Sequence, residues 1–261
     1  MGGRARRQQL LLSTAVLVGA LSGYARNAYA QAVGGACNLV SGTSYECSGS
    51  HIIPQSVTAD DAQVRVESPG LIVDTTALGG TPGTAMTIIG DGAISFFDPY
   101  GAPFSSLTSG AGYDALSIIS TGDIVSGNDG SVTVTTNGTL LGGDNGIFAR
   151  NDGGGAVTIT ANGDVEGTSI ASVGIFARNE GTSLSVTTAG TVTGGGAGIS
   201  AGNYGNGALT IEANGAVNAT AASGIGIFAQ SGTNATPGGT SLSVKTEGNV
   251  YGGNEGIYVR N

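Results

Sequence analysis

The sequence predicts an all-β fold, a right-handed parallel β-helix (solenoid) of about eight rungs with a disulfide-held N-terminal cap. Two sequence motifs, called the first and the second phrase below, alternate along the second half of the chain. Both have the period-two alternation of apolar and polar residues that is typical of β-strands. The 261 residues include 49 glycines, and no apolar spacing near 3.6 persists, which argues against helices. A flat antiparallel sandwich would require hairpin signals at every turn, whereas here equivalent residues recur once per rung.

The first phrase is Gly-Ile-Phe-Ala-Arg-Asn, and its five copies begin 28, 24, 28 and 30 residues apart. They occupy residues 146–151, 174–179, 198–203, 226–231 and 256–261. One unit of this length cannot bury its own apolar face, so the copies are expected to stack on one another. Each copy supplies one short strand of a rung.

The second phrase alternates apolar and polar residues and then turns at a glycine. Its copies occupy residues 155–167, 182–194, 207–219 and 240–252, with weaker copies at 64–72, 86–94, 116–124 and 132–140. The solenoid is therefore predicted over residues 56–261, about 38 Å long at the usual strand spacing of about 4.8 Å. Residues 96–104 break the pattern and are predicted to form a loop at one corner, and residues 232–239 form a second insertion.

Residues 1–30 have the features of a secretory signal peptide. Arg4, Arg6 and Arg7 precede an apolar run over residues 10–21, and Ala28-Tyr29-Ala30 offers a small-x-small cleavage site before Gln31. The run is short for a membrane span. The chain is therefore expected to be exported by general secretion and to continue as a mature protein without direct membrane insertion.

The two cysteines, Cys37 and Cys47, follow this signal and are predicted to form a disulfide in an oxidising compartment. The bond would hold a cap, residues 31–55, over the first rung, where unpaired strand edges otherwise invite aggregation. A metal site is the alternative interpretation, with His51 as the nearby third ligand.

The charge of the mature chain limits its partners. Residues 31–261 contain five basic and 18 acidic side chains, a formal charge of −13. Such a surface repels phosphate backbones and anionic lipids, so no nucleic acid is expected among the partners.

The export signal, the Cys-x9-Cys segment ending in Cys47-Ser48-Gly49 and the Gly-Ile-Phe-Ala-Arg-Asn rungs together resemble the passenger region of autotransporters. These are type V secreted proteins of Gram-negative bacteria. The resemblance covers the mature chain and implies a location at the cell surface, at the outer membrane or outside the cell. It also implies an outer-membrane β-barrel translocator as partner. No barrel segment is recognisable in the sequence, so this translocator is expected on a longer chain or a separate one.

The sequence offers little for catalysis, and the chain is predicted not to be an enzyme and to need no cofactor or metal. Glycoside hydrolysis would need two carboxylates in a cleft, and the candidates are Asp60 with Asp61, or Asp91 with Asp98. His51, the single histidine, has no nucleophile motif to serve. The glycine-rich segments 142–146 and 252–256 lack calcium-repeat spacing and are interpreted as corners that use positive φ.

The first phrase offers a candidate contact surface, one of two interpretations of its aromatic residues. If Ile147 and Ala149 point inward, the aromatic and arginine positions of each copy point outward in two parallel columns: Phe148, Phe176, Phe228 and Tyr258, and Arg150, Arg178 and Arg260. Such a strip fits a host or cell-surface glycan or protein. The alternative is that the rings lie inward or under a corner and only stabilise the rungs. The asparagines that end the phrase are predicted to form a hydrogen-bonded ladder.

Three functions remain open from the sequence. The first is an exported surface passenger that acts as an adhesin or interaction protein. The second is a structural stalk, and the third is a carbohydrate-active β-helix enzyme, either a lyase or a hydrolase. Uniform rungs favour the first two.

Overall fold

The computed structural model describes residues 31–122, 130–232 and 239–261, and within them it forms a parallel β-solenoid without helices. The predicted signal peptide, Ile124 and most of the 232–239 insertion lie outside the described residues. Three faces surround one apolar core. Seven rungs have a strand on each face, and the last strand starts a further rung. The predicted parallel solenoid is confirmed.

Face 1 carries the first phrase. Its eight parallel strands are β4 (Gln55–Thr58), β6 (Met86–Gly90), β9 (Leu116–Ser120), β12 (Ile147–Asn151), β15 (Val173–Asn179), β18 (Ala197–Asn203), β21 (Ile225–Ser231) and β24 (Glu255–Arg260). Neighbouring strands pair in register, so that Ile147 lies beside Ile175 and Phe148 beside Phe176.

Faces 2 and 3 belong to one continuous sheet that folds at β5 (Gln63–Asp74). The first half of β5 pairs with β7 and the second half with β8. Face 2 continues through β7 (Ala93–Asp98), β10 (Ser131–Thr136), β13 (Val157–Ala161), β16 (Leu184–Thr188), β19 (Leu209–Ala213) and β22 (Leu242–Thr246). Face 3 contains β8 (Ser106–Thr108), β11 (Thr139–Gly142), β14 (Val165–Gly167), β17 (Val192–Gly194), β20 (Val217–Ala219) and β23 (Val250–Tyr251).

The core consists of columns of like residues that repeat from rung to rung. Val157, Leu184 and Leu209 occupy one column of face 2, and all are fully buried. The neighbouring position holds Ile159, Val186 and Ile211, which are also fully buried. Each such side chain contributes about 1.5–3 kcal/mol by leaving water, so the columns supply the main stabilisation of the solenoid.

Two of the weak upstream copies were assigned to the wrong phrase. Residues 86–90 and 116–120 lie on face 1, where Leu116 pairs with Ile147, and are thus equivalents of the first phrase. Residues 64–66 and 132–136 lie on face 2, as predicted. The error arose because both phrases alternate apolar and polar residues, and this pattern identifies a strand without identifying its face.

The predicted loop over residues 96–104 is shorter than expected. Phe96 and Phe97 belong to β7, where Phe96 is buried and pairs with Val134 while Phe97 points outward. The loop proper follows at residues 99–105. Its anchor is Asp98, whose Oδ2 accepts a hydrogen bond from Ser105 Oγ at 2.7 Å and whose Oδ1 accepts one from the Tyr100 amide at 3.0 Å.

The interpretation of residues 142–146 and 252–256 as positive-φ corners was wrong. Glycines are required there because neighbouring segments of the backbone approach each other closely. No glycine of either segment has positive φ. A Cβ atom on Gly142 would lie 1.8 Å from the Asn145 carbonyl oxygen, and one on Gly174 would lie 2.6 Å from Val192 Cγ1. Only glycine fits where the chain folds this tightly against a neighbouring strand.

The N-terminal cap covers the first rung as predicted. β1 (Gln31–Val33) pairs antiparallel with β4, while β2 (Cys37–Ser41) and β3 (Ser44–His51) form a hairpin that pairs with β5. Cys37 and Cys47 face each other across this hairpin and form the predicted disulfide, which excludes the alternative metal site on these thiols. The cap therefore pairs the strand edges that the first rung would expose.

An asparagine ladder ends the strands of face 1, as predicted for Asn151, Asn179 and Asn203. Asn151 Nδ2 donates to Asn179 Oδ1, and Asn179 Nδ2 donates to Asn203 Oδ1, both at 2.9 Å. All three side chains are fully buried and also bond corner backbone carbonyls. Asn261, the fourth predicted member, is exposed.

The ladder can be tested with Asn179→Ala. This change leaves Asn203 Oδ1 and the Ser183 carbonyl without their buried donor. Unsatisfied buried groups of this kind destabilise proteins by about 1–3 kcal/mol each, so the urea midpoint should fall clearly. Thr158→Ala, at an exposed outward position, is the control and should change the midpoint little. Equal effects of the two changes would contradict a stabilising role for the ladder.

The disulfide can be tested with the double variant Cys37→Ala/Cys47→Ala. Closing a loop of this length removes unfolded-state entropy worth about 2–3 kcal/mol, so the variant should unfold at lower temperature. Because the bond lies in the cap, amide exchange should accelerate most in β1–β4 and least in β13–β19. Uniform acceleration along the solenoid would show that the cap has no local role.

Candidate functional site

The predicted contact strip lies on the outer surface of face 1. Phe148, Phe176 and Phe228 alternate with fully buried isoleucines and alanines, and their rings are partly exposed. Tyr258 is 39% exposed. The rings therefore point outward, which is one of the two interpretations that the sequence leaves open, and they are neither in the core nor fully covered by a corner.

The rings form two stacked pairs rather than one continuous column. The centroids of Phe148 and Phe176 are 5.1 Å apart with planes at 5°, and those of Phe228 and Tyr258 are 5.6 Å apart at 4°. Ser200 separates the two pairs, since it pairs in register with Phe176 on one side and Phe228 on the other. Offset stacking of this kind contributes about 0.5–1.5 kcal/mol per pair, so the rings also stabilise the rungs.

Acidic side chains accompany the arginine column, a feature that the sequence-based prediction missed. Arg150 Nε lies 2.7 Å from Asp152 Oδ1, and Arg178 pairs with Glu180 in the same way. The signal was present in the sequence, because Arg150 and Arg178 are each followed two positions later by an acid on the same side of the strand. Both arginine side chains remain about two-fifths exposed, at 42% and 41%. Among the described residues Arg260 has no ion-pair partner.

Tyr204 is a further member of the strip that sequence reasoning did not identify. Its ring lies over Gly202, where a Cβ atom would come within 3.0 Å of it. The guanidinium carbon of Arg178 lies 5.1 Å from the ring centroid, which is a cation–π distance. Tyr204 therefore fills the position in the arginine column that Gly202 leaves empty.

The candidate catalytic carboxylates Asp60 and Asp61 accept backbone hydrogen bonds from the next corner. Asp60 Oδ1 accepts a hydrogen bond from the Asp91 amide, and Asp61 Oδ1 accepts one from the Ala93 amide, so both brace the next corner. Asp98 is the last residue of β7 and Asp91 precedes the first residue of β7 by two positions, so the length of this strand, about 17 Å, lies between them. Glycosidases hold their carboxylates within about 10 Å of each other.

His51 is the last residue of β3, in the N-terminal cap. His51 Nε2 contacts the Ser48 carbonyl at 3.0 Å. Within residues 31–122, 130–232 and 239–261, no group of three or more metal-ligating side chains is close enough to hold an ion. A cavity of ≈ 130 Å³ lies at the 99–105 loop, lined mainly by glycine, proline and Phe104. Its lining carries no titratable side chain.

Two carboxyls among the described residues have perturbed pKa values. Burial raises the pKa of Asp98, against the lowering effect of hydrogen bonds from Ser105, Tyr100, Gly138 and Thr136. Burial likewise raises the pKa of Asp114, with a smaller contribution from the Asp144 charge, against hydrogen bonds from Asn145. Each carboxyl braces a loop or corner, so the shifts reflect structural burial.

Comparisons with protein-family models, with curated proteins and with solved structures find no match to this chain. No helix in the described parts is long and apolar enough to span a membrane.

The raised pKa values predict an unusual pH dependence of stability. A carboxyl whose pKa is raised in the folded state binds its proton more tightly there than in the unfolded chain. Lowering the pH from 7 therefore increases the free energy of unfolding that these two groups contribute, and the contribution is complete below the ordinary carboxyl pKa of 3.8. Raising the pH through the higher, folded-state pKa values removes this contribution. Thermal unfolding scans between pH 7 and pH 4 test this dependence.

The variant Asp114→Asn tests the contribution of one of these two carboxyls to the pH dependence of stability. Asp114 Oδ1 accepts both hydrogen bonds from Asn145, and an asparagine oxygen can keep both. At pH 7 the melting temperature should rise slightly, by no more than about 3 °C, and the gain on acidification should shrink. Thr158→Ala, at an exposed position without a titratable group, is the control and should leave the pH profile unchanged. A steeper profile in Asp114→Asn would contradict the prediction.

Proposed function

We propose that this chain is an exported, surface-displayed β-solenoid that acts as a non-catalytic interaction protein, of the type found in autotransporter passengers. The observation that carries the proposal is the strip on face 1. It presents partly exposed aromatic rings on four of five rungs, and arginines on three of them, on an otherwise Thr-, Ser- and Gly-rich surface. Exposed aromatics beside arginines are typical of contact surfaces.

Charge supports the choice of this surface. Three of the five basic residues in 31–261 lie in the arginine column, on a chain whose formal charge is −13. Rim charges of this kind influence association rate and specificity more than affinity. The partner proposed is a host or cell-surface protein or glycan, and a β-barrel translocator would deliver the chain to the outer surface.

Display and adhesion are tested together in the bacterium that makes the chain. Antibodies raised against purified residues 31–261 should label intact cells, and deletion of the gene should reduce adhesion to the surface that the wild-type cells colonise. Phe176→Ser should reduce adhesion severalfold, because it removes a central ring of the strip. Phe97→Ser, at a ring 39% exposed on face 2, is the matched control and should leave adhesion unchanged.

The alternative functions give different results in the same experiment. Labelled cells whose adhesion survives deletion would favour a structural stalk. Shortening of a polysaccharide by the purified chain would favour a carbohydrate-active enzyme. Failure of the antibody to reach intact cells would contradict surface display.

A further inference from the structure

An asparagine followed directly by a glycine is prone to spontaneous chemical modification, and the chain contains five such pairs: residues 137–138, 145–146, 162–163, 206–207 and 214–215. In each pair the backbone nitrogen of the glycine can attack the side-chain amide carbon of the asparagine. Glycine favours this attack, because it has no Cβ atom to hinder the approach and its backbone is flexible. The reaction needs a glycine amide and an asparagine side chain that are not held by other groups.

The glycine amide is held by a hydrogen bond in three of the five pairs. Gly146 N and Gly207 N donate to carbonyl oxygens of neighbouring segments, at 3.2 and 3.0 Å. The Gly138 amide donates to the carboxylate of Asp98. In these three pairs the attacking nitrogen must first give up its hydrogen bond, so the folded chain protects them.

The glycine amide is free in the two remaining pairs, which occupy equivalent bends. Gly163 N and Gly215 N donate no hydrogen bond within the parts of the chain that the structure describes. Each glycine lies two residues after the end of a face 2 strand, β13 or β19. The asparagines before them, Asn162 and Asn214, are both exposed. The attacking nitrogen therefore does not distinguish these two pairs.

The asparagine side chain does distinguish them. Asn162 Nδ2 donates to Asn137 Oδ1 at 2.7 Å, so its amide group is held by the equivalent residue of the preceding rung. For Asn214 that equivalent is Ala189, because the strands that end just before these two residues pair in register. Alanine offers no side-chain acceptor, and the Asn214 side chain makes no hydrogen bond within the described residues. In this pair alone, among the five, both reacting groups are free.

We propose that Asn214–Gly215 is a self-modification site, at which the folded chain deamidates without an enzyme. The Gly215 backbone nitrogen forms a bond to Asn214 Cγ, the bond from Cγ to Nδ2 breaks, and ammonia leaves with the proton of the glycine amide. Water then opens the five-membered imide at one of its two carbonyls, which gives either aspartate or isoaspartate. The reaction consumes one water molecule and no other reagent. It goes beyond the proposed surface function and does not depend on it.

The product places a new charge beside an existing one. Glu247 is the equivalent of Asn214 on the next rung, since Ala213 and Thr246 pair at the ends of the strands that precede them. The two backbones are therefore about 4.8 Å apart. Neighbouring carboxylates on paired strands repel each other, and isoaspartate also lengthens the main chain between β19 and β20. The last rung is thus expected to loosen as the modification accumulates.

The first test measures the rate of modification at all five pairs by peptide mapping and mass spectrometry. Purified residues 31–261 are incubated in a mildly alkaline buffer, folded or unfolded in urea. In the folded chain Asn214 should react about fivefold faster than Asn162, because Asn162 must first lose a hydrogen bond worth about that factor. The three pairs with held glycine amides should also react more slowly than Asn214. In urea all five should react at similar rates, since the fold no longer protects any of them.

The second test moves the protection from one pair to the other. Ala189→Asn gives Asn214 the acceptor that Asn162 already has, so the reaction at residue 214 should slow to the rate at residue 162. Asn137→Ala removes that acceptor, so the reaction at residue 162 should accelerate to the rate at residue 214. Asn214→Ser cannot react and is the control for the consequence. On incubation amide exchange in β22 and β23 should accelerate in the wild type and stay unchanged in this variant.

Several results would overturn the proposal. These are equal rates at Asn214 and Asn162 in the folded chain, a higher rate at any of the three pairs with held amides, and an unchanged rate at residue 214 in Ala189→Asn. A ranking of the five pairs that persists in urea would assign the difference to local sequence instead of the fold. All of these measurements use the purified chain, so their outcome is independent of surface display and adhesion.

Discussion

In-register parallel pairing is the constraint on which the rest of this structure depends. Each residue of a rung lies about 4.8 Å from its equivalent in the next, so the same chemistry is placed on itself at every level. Apolar positions become continuous columns, and Asn151, Asn179 and Asn203 form a buried ladder that satisfies the corner carbonyls. The corners follow from the same constraint, because strands that fold this closely leave no space for a Cβ atom at Gly142 or Gly174.

The first rung of a β-solenoid has unpaired strand edges, and in this protein the N-terminal segment pairs with them. β1 pairs with β4 on face 1 and the β2–β3 hairpin pairs with β5, so these strand edges of the first rung are paired. The disulfide joins the two strands of that hairpin. Further along, the 99–105 loop is held by one buried carboxylate, Asp98, whose hydrogen bonds offset the desolvation of its charge.

Because equivalent residues stack from rung to rung, a residue that differs from its equivalents changes the shape of the outer surface at that rung. Ser200 interrupts the rings and produces a gap with two aromatic walls, whereas Gly202 interrupts the arginines and is covered by Tyr204. The arginines are offset by acids two positions on, so the strip is a mixture of rings and ion pairs rather than a cationic stripe. Specificity on such a surface comes from irregular rungs, since regular rungs offer identical contacts at every level.

The sequence by itself determined the solenoid, the asparagine ladder and the disulfide, and it left two interpretations of the aromatic column open. Each depends on a repeat or an alternation that is written in the order of residues, as in residues 146–151 and 174–179. The tertiary structure alone decided which face each weak upstream copy occupies, because alternation marks a strand without marking its neighbours. It also decided the stacking of the rings, the placement of Tyr204 and the reason for the corner glycines. These depend on distances between rungs, and residues some 25 positions apart in sequence become neighbours only once the register is set.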